Sequence, residues 1–212
     1  MILGCHGQDG SLLSHSLLKK GHKVIGLSRN NGGTSKNHKI LGIEKDIELI
    51  KCDITNYKDL EKIFKKIEPN IIYNLAAQSS VGRSFINPVE TFESIITGTI
   101  NILEITKDLK FTGQIFFAGS SEIFGNIDHK ANINHLQKPN SPYGIAKQTS
   151  FNLVKLYRES FKLNCKTGIL FNHESHLREE TFVTQKIIKS AQKIFERKQS
   201  CLKIGNIDIV RD

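Results

Sequence analysis

No apolar run in this sequence approaches the about 20 residues that a bilayer-spanning helix needs; the longest, such as Gln114–Ala118 and residues 168–171, are a fraction of that length. A basic leader is missing as well. Met1-Ile2-Leu3 runs straight into a glycine turn, so neither a signal peptide nor a membrane anchor is expected, and a cytoplasmic location is. Cysteine is scarce: Cys5, Cys52, Cys165 and Cys201 are scattered and form no CxxC pair, which argues against a disulfide framework or a zinc site and for reduced thiols. Arginine is scarce too (Arg29, Arg83, Arg158, Arg178, Arg197 and Arg211), so the formal charge of +9 comes from lysine. The lysines are spread along helix-like segments, as in Lys62, Lys65, Lys66 and Lys186, Lys189, Lys193. Without a dense basic block interleaved with aromatics, the charge reads as a solvated surface plus sites for a phosphorylated ligand, not as a nucleic-acid interface.

The 212 residues suffice for one substantial α/β domain and part of a second. Strand-like and helix-like patterns alternate along them. Strands are expected at Ile2–Leu3, 23–28, 47–52, 71–76, 114–118 and 165–171. Helices are expected at 12–20, 60–67, 91–108, 142–161 and 181–197, with a Gly/Asn/Ser-rich loop over 30–39. Such alternation predicts an α/β fold, a doubly wound parallel sheet of Rossmann type covered on both faces. The expected division is 1–171 for a nucleotide-binding domain and 172–212 for the start of an incomplete substrate-binding region. A first strand this short, and an end straight after a strand-like segment, read as part of something longer.

Gly4-Cys5-His6-Gly7-Gln8-Asp9-Gly10 lies between the strand stub and the first helix. In this GxxGxxG spacing the first glycine permits the tight turn, the second lets backbone approach a pyrophosphate, and the third lets helix and strand pack closely. The helix behind it presents its positive end to phosphate. Gly4, Gly7, Gln8, Asp9 and Gly10 are therefore candidate contacts for a dinucleotide. The second strand ends in Ser28-Arg29-Asn30, without the acid that usually accepts from an NAD ribose. Arg29 is either an ordinary solvated arginine or the partner of a 2′-phosphate; the missing acid predicts NADP over NAD. Asp53 and Ile54, past the third strand, are candidates at the adenine, and Leu75-Ala76-Ala77-Gln78-Ser79, past the fourth, along the ribose and pyrophosphate. Loop polarity would explain these equally.

Tyr143 and Lys147 are i and i+4 on one helix and share a face. The ammonium favours the phenolate, which can take the proton of a sugar hydroxyl while hydride leaves its carbon. Gly119-Ser120-Ser121-Glu122 follows the fifth strand. A serine hydroxyl there can hold the substrate oxygen. Simple oxidation needs no carboxylate, but removing a carbon-bound proton beside a new ketone does, which makes Glu122 a candidate base for water elimination. Helix capping is the plainer alternative.

The glycine turn, Leu75–Ser79, Ser120–Glu122, Ser141-Pro142-Tyr143-Gly144-Ile145-Ala146-Lys147 and above all Gly168-Ile169-Leu170-Phe171-Asn172-His173-Glu174-Ser175 resemble the GDP-mannose 4,6-dehydratase family of extended short-chain dehydrogenases/reductases. Glu180-Thr181-Phe182-Val183-Thr184 and residues 205–212 are similar to it as well. The resemblance implies oxidation of GDP-mannose at C4 by NADP, loss of water across C5 and C6, and return of the hydride to C6, giving GDP-4-keto-6-deoxymannose. It implies catalytic roles for Ser120 (in place of a threonine), Glu122, Tyr143 and Lys147, the last also at the nicotinamide ribose. His173 and Arg178 fall at cofactor positions, and Asn172, Val183, Lys186 and Arg211 at positions for the GDP part. It further implies a homo-oligomer for a full-length member, with no nucleic-acid or membrane partner. His173 and His176 have no further ligand pattern around them, so no metal is expected. The chain departs from the family at Asn30 (a second arginine), His176 and Leu177 (proline and arginine), Phe124 (tyrosine), and in length. Two other readings stay open: a sugar-nucleotide epimerase or reductase on the same scaffold, and a non-catalytic cofactor-binding fragment.

Overall fold

The computed structural model describes residues 1–29, 33, 35–127, 130–205, 207 and 208, which form two compact units, Met1–Leu170 and Phe171–Asp212. The first unit holds six parallel strands: β1 (Ile2–Leu3), β2 (Ile25–Ser28), β3 (Glu48–Lys51), β4 (Ile71–Asn74), β5 (Gln114–Ala118) and β6 (Cys165–Gly168). Their order is β3-β2-β1-β4-β5-β6, the doubly wound Rossmann arrangement expected from the alternation. The direction of winding reverses at β1, which pairs with β2 (Ile2 opposite Gly26) and with β4 (Leu3 opposite Asn74). Two residues suffice for this central strand because its ladder runs on at both ends. Tyr73 N donates to Met1 O at 2.9 Å and Leu75 N to Leu3 O at 3.0 Å.

Each face of the sheet has its own core. Ile2, Cys5, Val24 and Ile47 pack with Leu13, Leu17 and Leu18 of α1 (Gln8–Lys19). On the opposite face Leu3, Leu27, Ile72, Ile115 and Phe117 pack with Leu60 and Phe64 of α3 (Tyr57–Ile67), Ile102 and Leu103 of α6 (Gly98–Asp108) and Val154 of α7 (Pro142–Ser160). Burial of each such side chain contributes about 1.5–3 kcal/mol. Local signals set the ends. Ser141 accepts from Gly144 N at 3.0 Å and Pro142 occupies the first position of α7. Gly21, at φ 78°, closes α1 by donating to Leu18 O at 2.9 Å.

The structure corrects several boundaries. Helix α1 begins at Gln8 instead of residue 12, because the glycine motif is itself its first turn. The loop expected over 30–39 contains the start of a helix, α2 (Lys36–Leu41), capped by Ser35, whose hydroxyl accepts from His38 N at 3.2 Å. The single helix expected over 91–108 is α5 (Pro88–Phe92), a π turn (Glu93–Thr97) and α6, preceded by α4 (Val81–Ile86), which the apolar pattern did not reveal. Strands 2, 3, 4 and 6 are shorter than expected; β4 stops at Asn74, whose side chain accepts from Ala76 N at 3.3 Å and turns the chain out of the sheet. In the second unit, α8 (Val183–Phe195) lies within the expected 181–197. Among the described residues no helix is long and apolar enough to cross a membrane, and no cluster of His, Cys, Asp and Glu could hold a metal ion.

Candidate active site

The glycine turn, the segment after β4 and the ends of β2 and β3 meet at the point where the winding reverses, at the carboxyl edge of the sheet. A β-carbon on Gly4, whose φ is +82°, would lie 2.7 Å from Ala76 N, and one on Gly10 would lie 2.3 Å from Gly4 O. These two glycines let three stretches of backbone touch. Gly7 differs: a β-carbon there meets nothing closer than Gly4 O at 3.4 Å, and the residue is exposed. Its bare backbone at the start of α1 leaves a cradle that fits a pyrophosphate. Gln8 is buried behind it, its amide donating to Asp9 Oδ1 at 3.1 Å.

Sequence reasoning missed what braces this turn. His38 is fully buried with Nε2 3.0 Å from Cys5 O; since a carbonyl only accepts, Nε2 carries the proton. His6 Nδ1 lies 2.9 Å from Ser28 Oγ, and Asn37 donates to His6 O at 3.1 Å. Burial holds both imidazoles below their ordinary pKa, so both favour the neutral form. Helix α2 is thus fastened onto the glycine turn by His38 and Asn37, while the His6 ring ties the turn to β2. A histidine in the glycine motif and another in the Gly/Asn/Ser-rich stretch carry no periodic signal, and nothing in the sequence pairs them.

The cleft beside the turn is lined by Gly4, Gly7, Arg29, Asp53, Ile54, Leu75, Ala76 and Ala77, all sequence candidates, and by Leu27, Ser28, Cys52 and Ser94, which were not. Ser94 belongs to the π turn, a feature with no sequence signature; its hydroxyl accepts from Gln78 N at 3.4 Å and so ties the loop after β4 to that helix. Asp53 Oδ1 accepts from Thr55 N and Oγ1 at 2.9 and 2.8 Å, so that oxygen shapes its own turn. Ile54 packs where a β-carbon on Gly98 would stand, 2.4 Å away. Gln78 is buried and its side chain serves the loop, donating to Ser80 O at 2.8 Å and Thr91 Oγ1 at 3.2 Å and accepting from Ser80 N. Ser79 is exposed beside it.

The four candidate catalytic residues come from two adjoining elements. Ser120 caps a short 3₁₀ turn (Ser121–Ile123), its buried Oγ accepting from Glu122 N at 3.2 Å. That turn packs on the first turn of α7: a β-carbon on Gly144 would lie 2.7 Å from Glu122 O, which places the Glu122 backbone against the residue that follows Tyr143. Tyr143 is buried in that turn, and Glu122 is partly buried. Lys147 Nζ lies 5.7 Å from the Tyr143 ring centroid and donates to Ala118 O at 2.8 Å. It lines a small cavity with Asn74, Ala77, Thr99 and Ser150.

Burial pulls the Lys147 ammonium from its ordinary 10.5 down to about 8. The unfolded chain therefore binds more protons than the folded one between those values, and stability rises with pH across the window. The cost of burying the charge is present in full below about pH 8 and is relieved by about pH 10.5. Relative to a Lys147→Met variant, the wild type is expected to gain about 3 kcal/mol between neutral pH and pH 10.5 in urea unfolding. A difference that stays flat with pH contradicts a buried amine at this position.

The remaining candidates lie in the second unit. His173 is exposed, with Nδ1 2.7 Å from Phe171 O. Arg178 stacks its guanidinium 3.6 Å from the Phe182 ring centroid, with Nε 3.6 Å from Glu174 Oε2. Asn172, Val183 and Lys186 are exposed, the last two on the first turn of α8. Arg211 and Asn30 lie outside the described residues.

Comparison with known proteins places this geometry. Two solved structures share the fold: a dTDP-glucose 4,6-dehydratase from Bacillus anthracis in complex with NAD (20% identity, TM-score 0.79, covering 91% of this chain and 60% of that one) and a UDP-glucose 4-epimerase from Thermus thermophilus in complex with NAD (23%, 0.81, 92% and 62%). In sequence, the chain is 38% identical to GDP-mannose 4,6 dehydratase 2 of Caenorhabditis elegans and 36% identical to GDP-mannose 4,6 dehydratase of Homo sapiens, across all of its own length and 58% and 60% of theirs. It thus spans about three fifths of those relatives. The family model for GDP-mannose 4,6 dehydratase matches residues 1–212, and the chain belongs to that family.

Proposed function

We propose that the protein dehydrates GDP-mannose to GDP-4-keto-6-deoxymannose with NADP held in the cleft of the first unit. The observation that carries this reading is the packing of the Glu122 turn on the first turn of α7, which sets a carboxylate-bearing segment beside a phenol and a buried amine; Lys147 lines a small cavity that shares Ala76 and Ala77 with the cleft of the glycine turn. An epimerase or reductase needs the phenol and the amine but no second base.

Gly4, Gly7 and Gly10, the amino end of α1, Arg29, Asp53, Ile54 and Leu75–Ser79 would hold the dinucleotide. When bound, the nicotinamide supplies the chemistry of taking a hydride at C4 and returning it at C6. Lys147, fixed by Ala118 O, favours the phenolate of Tyr143, which accepts the proton of the C4 hydroxyl. Ser120 holds the same oxygen. Glu122 takes the C5 proton, made acidic by the adjacent ketone, and passes a proton to the departing C6 hydroxyl; as the hydride returns to C6, C5 takes up a proton from solvent, which balances the one Tyr143 releases. NADP is favoured by the Ser28-Arg29 end of β2, which presents a guanidinium to the cleft and no acid.

A cytoplasmic setting suits the thiols. Cys5, Cys52 and Cys165 are buried, and burial pushes the first two up to about 12 and about 11, which leaves them unreactive. The test is incubation of purified protein with GDP-mannose and NADP⁺. The keto-deoxy sugar is expected; an epimerised or reduced sugar supports the second enzyme reading, and cofactor binding without product supports a binding fragment.

A further inference from the structure

Arg29 leaves the end of β2 at the rim of the cleft, yet it already has a partner. Its Nη1 lies 3.7 Å from Oε1 of Glu90, in the first turn of α5. The other oxygen of that carboxylate, Oε2, accepts from Nη2 of Arg83, on α4, at 2.9 Å. One acid thus holds two arginines from different elements, one tightly and one loosely. The two guanidinium-bearing side chains are more than half exposed (57% and 56%), whereas that of Glu90 is 34% exposed. The acid missing from the end of β2 in the sequence is supplied in space, from a helix some sixty positions along the chain.

We propose that Glu90 is a specificity-determining residue for the dinucleotide: it competes for Arg29 and thereby limits how strongly the cleft prefers a 2′-phosphate over a 2′-hydroxyl. This rests on the reading that the cleft takes a dinucleotide with Arg29 at its 2′ end. A phosphate monoester carries between one and two negative charges at neutral pH and binds arginine through charge-assisted hydrogen bonds. To take Arg29 it must displace a carboxylate already paired with it, and then lie beside that carboxylate. The long 3.7 Å contact yields first, and Arg83 keeps Glu90 through the 2.9 Å bond. Arg83 is therefore part of the device: it draws the carboxylate away once Arg29 is engaged. A 2′-hydroxyl meets no such competition.

Titration of purified protein with NADP⁺ and with NAD⁺ tests this without turnover. Glu90→Gln keeps the shape of the side chain and removes its charge. It is expected to tighten NADP⁺ binding by about five- to tenfold at low salt, a modest factor because the pair is exposed, and to move NAD⁺ by less than about twofold. Raising salt to about 0.5 M should erase most of the gain. Arg83→Gln, which leaves Glu90 wholly to Arg29, should weaken NADP⁺ and spare NAD⁺. In an Arg29→Gln background Glu90→Gln should change the NADP⁺/NAD⁺ ratio by less than about twofold, since the competition runs through Arg29. An unchanged ratio in Glu90→Gln, equal tightening of both dinucleotides, or an undiminished gain without Arg29 overturns the proposal while the cofactor site stands. Binding of neither dinucleotide by the wild type overturns the cofactor reading and this inference with it.

Discussion

Gly10→Ala is expected to destabilise the fold by about 2–4 kcal/mol and to abolish dinucleotide binding, because the added methyl has nowhere to go. Its β-carbon would stand 2.3 Å from Gly4 O, 2.7 Å from Cys5 Cα and 3.0 Å from Cys5 C, all backbone atoms that no rotamer change can move. Gly4 O also accepts from Gly7 N at 3.1 Å, so displacing it opens the turn itself. Gly7→Ala separates the two roles of the motif. There the nearest atom is at 3.4 Å and φ is −66°, so alanine fits the folded chain and stability should change by less than about 1 kcal/mol. The methyl would nevertheless stand in the cradle, and dinucleotide affinity should fall by about a hundredfold or more. Urea unfolding and NADP⁺ titration on both variants check this pair of outcomes. Equal losses of stability in both, or retained binding in Gly7→Ala, contradict the account of the turn.

Glu122→Gln is expected to lower formation of the keto-deoxy sugar by about a thousandfold or more, the upper range for loss of a positioned base, with NADP⁺ affinity changed by less than about twofold. The substitution keeps the backbone contacts of the turn. Glu122 N is capped by Ser120 Oγ at 3.2 Å, and the Glu122 carbonyl packs against Gly144; neither contact uses the carboxylate. In heavy water the wild type should place solvent deuterium at C5 of the product, and the variant should lose that incorporation together with turnover. Undiminished turnover in Glu122→Gln would remove the residue from the mechanism and return the 3₁₀ turn to a capping role.

Much of this was legible in the residues, for reasons that differ along the chain. The parallel, doubly wound character of the sheet followed from strand–helix alternation, because a parallel sheet needs a crossover for every strand; the strand order is seen only in the fold. That Tyr143 and Lys147 lie on one helix followed from their spacing, and their place after a dinucleotide-type fold singled them out. Helices α2 and α4 escaped because each has only six residues, less than two turns of periodicity, and is defined instead by a serine cap, Ser35 and Ser80. The π turn at Glu93–Thr97 is a change of hydrogen-bond register, and composition does not encode it; yet it positions Ser94 on the cleft. The ion pairs of Glu90 join residues 61 and 7 positions apart, and only the folded chain brings the longer pair together. Gln78 adds a detail that only the fold supplies: its side chain donates to Ser80 O and Thr91 Oγ1 and so shapes the loop after β4.

The measurement closest to the central claim follows one hydrogen atom. GDP-mannose carrying deuterium at C4 is mixed with purified protein and NADP⁺, and the product is read by NMR. If Ser120, Glu122, Tyr143 and Lys147 act together at one cleft, the deuterium reappears on C6 of GDP-4-keto-6-deoxymannose. A product that keeps deuterium at C4, or a 6-deoxy product whose C6 carries only solvent hydrogen, contradicts the assignment.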